Sequence, residues 1–573
     1  MTSHSWLSRY ANASCPWRQT TSPNGIQSFK RPLGLVETSF DIDGTRFCGR
    51  ADMTATLKLE VRHSLSERDL RGRIALAWCL LRLHHVLLMA RIEEEEKTGV
   101  RRFVVDVPQS AEDAVKSVED GITFLEDFGY GPELDDQDLH HHALNVARII
   151  RPEECLSKLH VLPLKRLPGG QTWELKFLIV MAHQISDGLS AYNWFSHFLR
   201  ILNTPAPTIL GDINTSIQIA NIQQRLPPAQ EDLYPIVPGT RARQRWFWAL
   251  IRVLRHVQHT MSPTFTNPLR RETRLEGPLP IDPTYTRFFN YDAATRPQMN
   301  SGHITPSLSP AASARLIALC REAKVSIGAG CFALAGLSMM AIHESRYSQI
   351  AVAERPAFGA SFPLNPRAFF GVKTQADSCM LAFSEGIVMP LLTSSLPIEG
   401  RFKLVAKHAN RELKVYQKRL KDGGARDGMS VLNRHSPGRL LATGYLAQLE
   451  RVDARLPEDK KTRANPQGEL KARVGKYGAT CGVSSVGSTA AFFRPGEYDL
   501  DNVEGKDFIV DYQGLRMGVR ARDNEFLIGS STDANGIVGF GVSYDENAIS
   551  QEAAQNWAET ISGLLEKGDG SRL

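Results

Sequence analysis

The sequence predicts an α/β protein built of two domains. At 573 residues, the chain is longer than a single hydrophobic core usually supports. Strand-like apolar runs alternate with amphipathic helical segments on both sides of a Pro-rich stretch at 203–305. Ser309-Pro310 opens the second series, with serine as N-cap and proline at the first helical position. We therefore expect an N-terminal domain over 31–202, a linker over 203–305 and a C-terminal domain over 306–573.

Residues 1–30 are rich in Ser, Thr, Asn and Pro, and we expect them to form a flexible arm. Asp43-Gly44 is a favoured hairpin turn, which predicts a strand pair at 38–42 and from 47 onward. Further strands are predicted at 54–61, 100–107, 155–164 and 172–182. Helices are predicted at 64–92, where Ser64 and Glu67 fit a capping box, and at 110–129.

The N-terminal domain centres on the stretch 173–195. It begins with alternating apolar and charged residues and becomes uniformly apolar up to Met181, as in a strand that enters a core. The apolar run stops at His183, and Asp187-Gly188 follows just ahead of a helical pattern. His183 is therefore expected where a buried strand ends and a turn begins. Such a position holds an imidazole rigidly and leaves one ring edge open to a substrate.

Two interpretations of this turn remain open at the level of sequence. In the functional one, His183 is a general base, Asp187 braces the loop by pairing with a cation, and Gly188 permits an approach that a side chain would block. In the structural one, Asp187 is a helix N-cap and His183 a satisfied histidine at a strand end. The pattern His-x-x-x-Asp-Gly arises by chance in roughly one chain of this length in twenty, so it does not decide alone.

The C-terminal domain is expected to begin with two helices, 311–323 and 327–343, the second one buried. Strands are predicted at 349–354, 360–363, 380–383, 481–487 and 508–512, with two more around 529–545. The segment 402–420 predicts a strongly basic amphipathic helix, which is more often a solvated face than a binding surface. The charged, Gly-rich segment 421–475 is expected to be an insertion, and a terminal helix to end near 565.

Composition limits the classes of function. The 68 basic and 62 acidic residues give a net charge of +6, which suits an anionic small ligand but is no nucleic-acid signature. None of the eight cysteines has Cys-x-x-Cys spacing, so they are interpreted as free thiols of a reducing compartment. The run His140-His141-His142 follows Asp135-Asp136, but consecutive histidines do not converge on one ion. We therefore predict no metal site.

No membrane-spanning or secretory segment is expected. The N-terminus lacks the apolar core of a signal peptide. The predicted helix over 74–92 is strongly apolar, yet it carries Arg82, His84, His85 and Arg91, too many polar groups for a lipid-facing span. The sequence thus predicts a cytoplasmic protein, and we expect a monomer.

Four stretches, in the same order along the chain, resemble the acyltransferases of the condensation-domain and chloramphenicol-acetyltransferase superfamily. They are His183–Gly188, the helix pair at 308–337, Phe362-Pro-Leu-Asn-Pro-Arg367, and Val483-Ser-Ser-Val-Gly487. The resemblance spans nearly the whole chain. Together with the opening Arg31-Pro-Leu-Gly-Leu-Val-Glu37 and the length, it is most similar to the fungal alcohol O-acetyltransferases that act on trichothecene sesquiterpenoids.

This resemblance implies two similar domains that form a pseudo-dimer around a substrate tunnel, with His183 as general base on an acceptor hydroxyl. It implies acetyl-CoA as co-substrate, with no bound cofactor and no metal. Because CoA thiolate is a good leaving group, no covalent enzyme intermediate is needed. Asp187 is implied to be structural and to pair with an arginine of the other half, for which Arg367 is the candidate. Ser484 and Ser485 are candidate donors to the oxyanion.

Alternatives to this function stay open. The acyl donor could be a carrier-protein thioester, docked on the basic helix 402–420, and that helix could equally hold the 3′-phosphate of CoA. The acceptor could be another alcohol or a polyketide. A non-catalytic relative that only binds a ligand or partner is a further alternative, although nothing structural requires the motif His, Asp and Gly together. Hydrolysis by a Ser-His-Asp triad is least favoured, because the chain has no Gly-x-Ser-x-Gly motif.

Overall fold

Two mixed sheets, one built around each half of the chain, form the framework of the protein. The computed structural model describes residues 15–119, 121–234, 239–257, 263–370, 374–384, 386–416, 437–461 and 479–566. Within these ranges each of the two large sheets has six strands, and helices pack against both. A smaller sheet of four strands belongs to the first half, and a two-stranded ribbon belongs to the second.

The first half contains nine strands and five helices among the described residues. The strands are β1 Arg18–Thr21, β2 Gln27–Pro32, β3 Met53–His63, β4 Arg91–Glu94, β5 Arg101–Asp106, β6 Ile122–Phe124, β7 Ser157–Val161, β8 Lys165–Arg166 and β9 Trp173–Met181. The helices are α1 Leu35–Arg46, α2 Glu67–His84, α3 Ala111–Glu119, α4 Asp136–Asn145 and α5 Gly188–Leu202.

Three helices follow on the way to the second half: α6 Ala206–Ser216, α7 Ile219–Arg225 and α8 Arg241–Val257. The strands of the second half, as far as it is described, are β10 Ser301–Ile304, β11 Phe358–Ser361, β12 Pro363–Leu364, β13 Ala382–Phe383, β14 Ile387–Met389, β15 Cys481–Ser488, β16 Phe508–Val519, β17 Phe526–Thr532 and β18 Val538–Asp545. Its helices are α9 Pro310–Ala323, α10 Ile327–Arg346, α11 Ile398–Tyr416, α12 Pro437–Arg455 and α13 Gln551–Gly563.

The first large sheet has the order β16-β3-β9-β7-β6, with β8 also paired to β9. β9 lies in its middle, antiparallel to β3 and β7, and seven of its nine residues are buried. β16 comes from the second half and pairs with β3 along the whole length of β3. It covers an edge that would otherwise expose unpaired backbone groups. A strand of the second half therefore lies in the sheet of the first half. The predicted domain boundaries at 202 and 306 do not anticipate this arrangement.

The second large sheet has the order β10-β18-β17-β15-β11-β14. β15 runs parallel to both of its neighbours, β11 and β17. The helix α10 crosses this sheet and is buried along most of its length. By length and composition α10 could also cross a membrane, but 78% of its most apolar window is buried inside the protein, so this is weak evidence for a span.

Sequence patterns located most of this framework. The predicted strands at 54–61, 100–107, 155–164 and 172–182 are present as β3, β5, β7 and β9. The N-cap at Ser309 is confirmed, since its side chain accepts a hydrogen bond from Ala312 N at 3.1 Å. The predicted basic helix at 402–420 is α11, Ile398–Tyr416. A terminal helix is also present, as α13.

The predicted hairpin around Asp43-Gly44 is wrong, because residues Leu35–Arg46 form the helix α1. The carboxylate of Glu37 accepts a hydrogen bond from Gly34 N at 2.6 Å and pairs with the buried Arg31 at 2.6 Å. This capped, ion-paired start outweighs the β-preference of the residues that follow. Asp43-Gly44 thus lies inside a helix rather than in a turn.

Other boundaries also differ from the prediction. The expected flexible arm 1–30 contains β1 and β2, which join the four-stranded sheet, while residues 1–14 lie outside the described residues. The helix α2 is capped by Ser66 instead of Ser64 and ends at His84, before a 3₁₀ turn and β4. The predicted strand 349–354 is wrong, since it contains only a 3₁₀ turn.

Two regions predicted to be irregular contain helices. The linker 203–305 holds the three helices α6, α7 and α8. The insertion 421–475 holds α12, which packs on α1 and α8. The parts of that insertion at 421–436 and 462–475 lie outside the described residues.

Candidate active site

The turn between β9 and α5 is held by a capped helix start. Asp187 is the N-cap of α5, and its Oδ1 accepts a hydrogen bond from Ser190 N at 2.9 Å. Ser190 Oγ in turn accepts from Asp187 N at 2.8 Å, which completes a reciprocal cap. Residues 184–187 are all buried. The turn is therefore rigid, and it fixes the backbone of His183, which lies directly before it.

The imidazole of His183 is held by an aromatic ring from α1. It stacks on Phe40 with ring centroids 3.9 Å apart and planes 2° from parallel. Its Nδ1 lies 3.9 Å from Cys379 Sγ, a residue of the second half. Part of the His183 side chain remains accessible, whereas Phe40 and Cys379 are buried. His183 thus lies at the contact between the two halves, with its ring plane fixed and one side open.

The surroundings keep this imidazole neutral. Removal from water, with a smaller contribution from the charge of Arg522, lowers the pKa of His183 to about 4, although hydrogen bonding to nearby backbone and the charge of Asp187 oppose the shift. At neutral pH the ring therefore has a free lone pair and can accept a proton. Burial raises the pKa of the Cys379 thiol well above its ordinary value. The sulfur stays protonated, so it does not serve as a nucleophile.

Asp187 joins the two halves through its second oxygen. Arg367 donates from a terminal guanidinium nitrogen to Asp187 Oδ2 at 2.7 Å, and the backbone N–H of Met380 donates to the same oxygen at 3.0 Å. The side chains of Asp187 and Arg367 are 4% and 7% exposed, so the ion pair is almost dry. The predicted contact between these two residues is present. Loss of either partner would leave a buried charge unpaired, which costs about 3–5 kcal/mol.

A short segment of the second half, residues 376–381, crosses the start of α5, and we call it the crossing segment. Asn193 Nδ2 donates to Ala376 O at 3.2 Å and to Asp377 Oδ1 at 3.1 Å. His85 Nδ1 lies 3.0 Å from the same carboxylate oxygen of Asp377. Ser190 Oγ donates to Ser378 O at 3.3 Å. The crossing segment is thus tied to the first half at successive residues and brings Cys379 and Met380 to the motif.

A buried carboxylate on α1 anchors the helix that carries Phe40. Asp43 accepts hydrogen bonds from Arg50 at 2.8 Å, Arg455 at 2.9 Å and Arg522 at 3.0 Å. Burial alone would raise the pKa of Asp43, but the three guanidinium charges lower it below its ordinary value. These arginines come from the turn after α1, from α12 and from the connection between β16 and β17. α1 is therefore fixed to the second half.

Sequence reasoning missed both the crossing segment and Phe40. The segment was predicted only as a strand at 380–383, and no local pattern indicates which helix it contacts. Phe40 was placed in a hairpin that does not exist. One signal was present in the sequence: Glu37 stands three residues after Gly34, which is the spacing of a capped helix start.

Gly188 does not need to be glycine for steric reasons, contrary to the expectation that a side chain would be blocked. Its φ is not positive, and a Cβ built there would lie 3.7 Å from Val486 and 3.9 Å from Met517, at ordinary contact distances. Val486 and Met517 belong to β15 and β16. A side chain at 188 would therefore extend into the space between α5 and the second half.

The two candidate oxyanion donors point to opposite faces of β15. A Cβ on Gly328, at the start of α10, would lie 3.3 Å from Ser485 Oγ, so Ser485 faces the helices of its own half. Val486, the next residue, faces Gly188. Strand alternation places Ser484 on the face opposite to Ser485 and to Val483, which is buried in the core of the second half. Of the two serines, only Ser484 is on the face that meets the first half.

No protein-family model matches the sequence, and no curated protein matches it either. Solved structures match almost the whole chain. The trichothecene 15-O-acetyltransferase of Fusarium sporotrichioides superposes with a TM-score of 0.62 and 11% identity, covering 96% of this chain and 98% of that one. The chain has the condensation-domain and acetyltransferase fold. Two condensation domains support the same conclusion.

The condensation domain of monacolin K polyketide synthase superposes with a TM-score of 0.50 and 10% identity, covering 94% of this chain and 96% of the other. The first condensation domain of the calcium-dependent antibiotic synthetase gives 0.50 and 11%, covering 96% of both chains. The two-lobed condensation-domain fold predicted from the resemblance is thus confirmed. The roles of individual residues in catalysis stay predictions at this level of identity.

In this condensation-domain fold the remaining sequence candidates lie away from His183. No group of three metal-ligating side chains is found in the described ranges, and His142 Nδ1 instead lies 2.6 Å from the hydroxyl of Tyr291. A cavity of about 250 Å³ opens at the other end of β9, beside Trp173 and His63. It lies a whole strand length from His183 and does not belong to the candidate active site.

Proposed function

We propose that the protein is an acyl-CoA-dependent O-acyltransferase, and that it acetylates a hydroxyl group of a fungal secondary metabolite. The observation that carries this proposal is the neutral, partly accessible imidazole of His183 at the contact between the two halves. A general base requires this combination of a free lone pair, a fixed ring plane and an open side.

In the proposed reaction, His183 accepts the proton of the acceptor hydroxyl. The oxygen attacks the thioester carbonyl carbon of acetyl-CoA, and a C–O bond forms while the carbonyl oxygen becomes an oxyanion. Collapse of the tetrahedral intermediate breaks the C–S bond, and the leaving thiolate takes the proton back from the imidazolium. Nδ1 lies beside Cys379, which leaves Nε2 as the atom that handles this proton.

Asp187 is proposed to position the motif and not to relay a proton. Its Oδ1 is occupied by Ser190, and its Oδ2 by Arg367 and Met380 N. No described hydrogen bond joins this carboxylate to the imidazole. The arrangement therefore differs from a Ser-His-Asp triad, in which the carboxylate binds the histidine directly. Ser484 remains the candidate side-chain donor to the oxyanion, on the strand face that meets the first half.

For the acceptor, we propose the C-15 hydroxyl of a trichothecene sesquiterpenoid. The support is the likeness of fold to the trichothecene 15-O-acetyltransferase, over nearly the full length of both chains. Acetyl-CoA is proposed as a co-substrate, with no resident cofactor, in a cytoplasmic monomer. A carrier-bound donor is the alternative; on α11, Lys403 is paired with Glu322 at 2.6 Å, which reduces the charge that a carrier could use.

The test is turnover of purified protein with acetyl-CoA and a panel of hydroxylated terpenoids, including a trichothecene with a free C-15 hydroxyl. Thiol release and product mass are followed for the wild type, for His183→Ala, and for His141→Ala as a matched control on α4. We expect an acetylated product, a loss of about a hundredfold or more in kcat for His183→Ala, and little change for His141→Ala.

Unchanged turnover in His183→Ala would refute the proposed base. Turnover with a carrier-bound acyl group, but not with a free CoA ester, would show that the donor is a carrier thioester. It would leave His183 as the proposed base. Product from another alcohol in the panel, with no acetylation of the trichothecene, would replace the acceptor. Absence of transfer from either kind of donor would favour a binding protein.

A further inference from the structure

The helix α8 has two apolar faces, and within the described residues the large apolar side chains of only one of them are buried. Its inner face packs Phe247, Trp248 and Ile251 against residues of α12. All three are at most 8% exposed. This face fixes α8 to the protein. This packing therefore explains the apolar residues on one side of the helix only.

The opposite face carries a second apolar stripe. Ala242, Trp246, Ala249 and Val253 recur at spacings of four, three and four residues, which places them along one side of a helix. Trp246 is 68% exposed, more than any other large apolar residue in the described part of the chain, and Val253 is 39% exposed. An indole exposed to this extent contributes little to the core.

Positive charge borders this outer stripe. The 17 residues of α8 include five arginines and no acidic residue. Arg241, Arg243 and Arg245 are exposed, and within the described residues none of them forms an ion pair. Arg243 lies on one side of the stripe and Arg245 on the other, because they are separated by about 200° around the helix. The face thus combines an apolar centre with cationic margins.

We propose that this outer face of α8, the Trp246 face, binds the surface of an anionic lipid membrane. An interfacial helix buries apolar side chains just below the headgroups while its arginines remain at headgroup level. Tryptophan is the side chain most typical of that boundary, since its ring is apolar and its N–H needs a polar partner. Anionic headgroups match the unpaired arginines in charge.

A protein helix is a poorer occupant of the Trp246 face. A helical partner would require large apolar residues at both seam positions, whereas this stripe alternates Trp246 and Val253 with two alanines. The seam from Ala242 to Val253 would cover only about three turns, which buries too little apolar area for stable pairing. A lipid surface does not require a continuous apolar seam, because a single indole placed below the headgroups already contributes to the free energy of binding.

The experiment is co-sedimentation of the full-length protein with vesicles of phosphatidylcholine alone and of phosphatidylcholine containing phosphatidylserine. We expect binding to the anionic vesicles that weakens with added salt, and little binding to the neutral ones. Neutralising two arginines, in the double variant Arg243→Gln and Arg245→Gln, should lower the partition coefficient by about 30-fold. Trp246→Ser should abolish measurable binding, while Trp246→Phe should retain part of it.

Leu404→Ser is the matched control, because Leu404 is 62% exposed on α11, another basic helix. It should bind vesicles as the wild type does. A comparable loss in Leu404→Ser would show that attraction is general to basic surfaces and would overturn the assignment to α8. Failure of the wild type to bind, equal binding to neutral vesicles, or Trp246-dependent self-association without lipid binding would each overturn it as well. Thermal unfolding checks that the variants are folded.

Discussion

The first half and the second half each contain a long interior strand that leads through a short turn into a capped helix. In the first half this is β9, the His183 turn and α5, with Asp187 as cap. In the second half it is β18, a turn at 546–550 and α13, with Ser550 as cap. The second turn also has a buried aspartate, Asp545, which pairs with Arg274 at 2.9 Å and accepts from Asn524 N at 2.7 Å.

The two turns differ in which part of the protein their polar side chains contact. In the second turn, Asn547 is fully buried; its side chain accepts from Asn300 N at 2.9 Å and donates to Leu275 O at 3.1 Å, both in the connection that leads into the second half. In the first turn, Asp187 bonds the other half, and His183 is left partly accessible. A strand-to-helix turn in this fold therefore needs a cap and a buried acid, but it does not need a histidine. The fold gives no structural reason for His183, which favours a functional one.

The strongest way to test this difference is to remove the acid from each turn. Asp187→Ala should cost about 3–5 kcal/mol of unfolding free energy and abolish transfer, because Arg367 loses its partner and Met380 N its acceptor. Asp545→Ala should cost less, because Arg274 is 32% exposed and keeps Asp523 at 3.4 Å, and the molecules that remain folded should keep their activity. Urea unfolding and activity per folded molecule separate the two effects.

Equal loss of activity in both variants would mean that the turns are equivalent and that the motif has no special role. Arg367→Met serves as a second probe. It should be more stable together with Asp187→Asn than alone, because the double variant leaves no buried charge unpaired.

A smaller effect is expected from Phe40, which stacks on the histidine of the first turn. Phe40→Ala should destabilise the protein by about 3 kcal/mol and admit water to the imidazole. Better hydration favours the charged form, so the pKa of His183 should rise from about 4 toward 6.5. The acid limb of the kcat profile should then move to higher pH, and Phe40→Leu, which keeps most of the apolar cover, should move it less.

The same pKa has a consequence for stability. His183 is harder to protonate in the folded protein than in the unfolded chain, so its contribution is fully present above about pH 6.5. It is lost as the pH falls from there toward 4. His183→Gln should therefore flatten stability in this window, measured by thermal unfolding between pH 7 and pH 4. A steeper pH dependence in His183→Gln would contradict the lowered pKa.

The smallest effect concerns Gln184. Both amide atoms of Gln184 are buried without a hydrogen-bond partner in the described structure, whereas the amide of Asn547 in the other turn is bonded. An unpaired buried polar group costs about 1–3 kcal/mol. Gln184→Met should thus raise the free energy of unfolding by about 1 kcal/mol, while Asn547→Leu should lower it. Destabilisation by Gln184→Met would indicate that the amide of Gln184 forms a hydrogen bond in the folded protein.

Sequence alone located the parts of this comparison that depend on local patterns. The uniform apolar run of β9, the Asp187 cap and the Ser309-Pro310 helix start all follow from spacing along one element. Contacts between distant residues were not accessible in this way. Nothing near residues 508–519 indicates that they pair with β3, and nothing in 376–381 indicates a contact with α5. The helix α1 was predicted wrongly for another reason. Its residues include several that favour β-strands, and its start depends on the ion pair between Arg31 and Glu37.

The strand shared between the halves has a consequence during synthesis. β16 completes the first sheet, but roughly 326 residues separate Met181 from Phe508 along the chain. At about 5–20 residues per second, the ribosome needs on the order of 15–60 s to supply them. During this interval β3 presents an unpaired edge, to which another nascent chain can add. The first half cannot mature ahead of the second, and a nascent chain that ends before β16 is expected to need a chaperone to remain soluble.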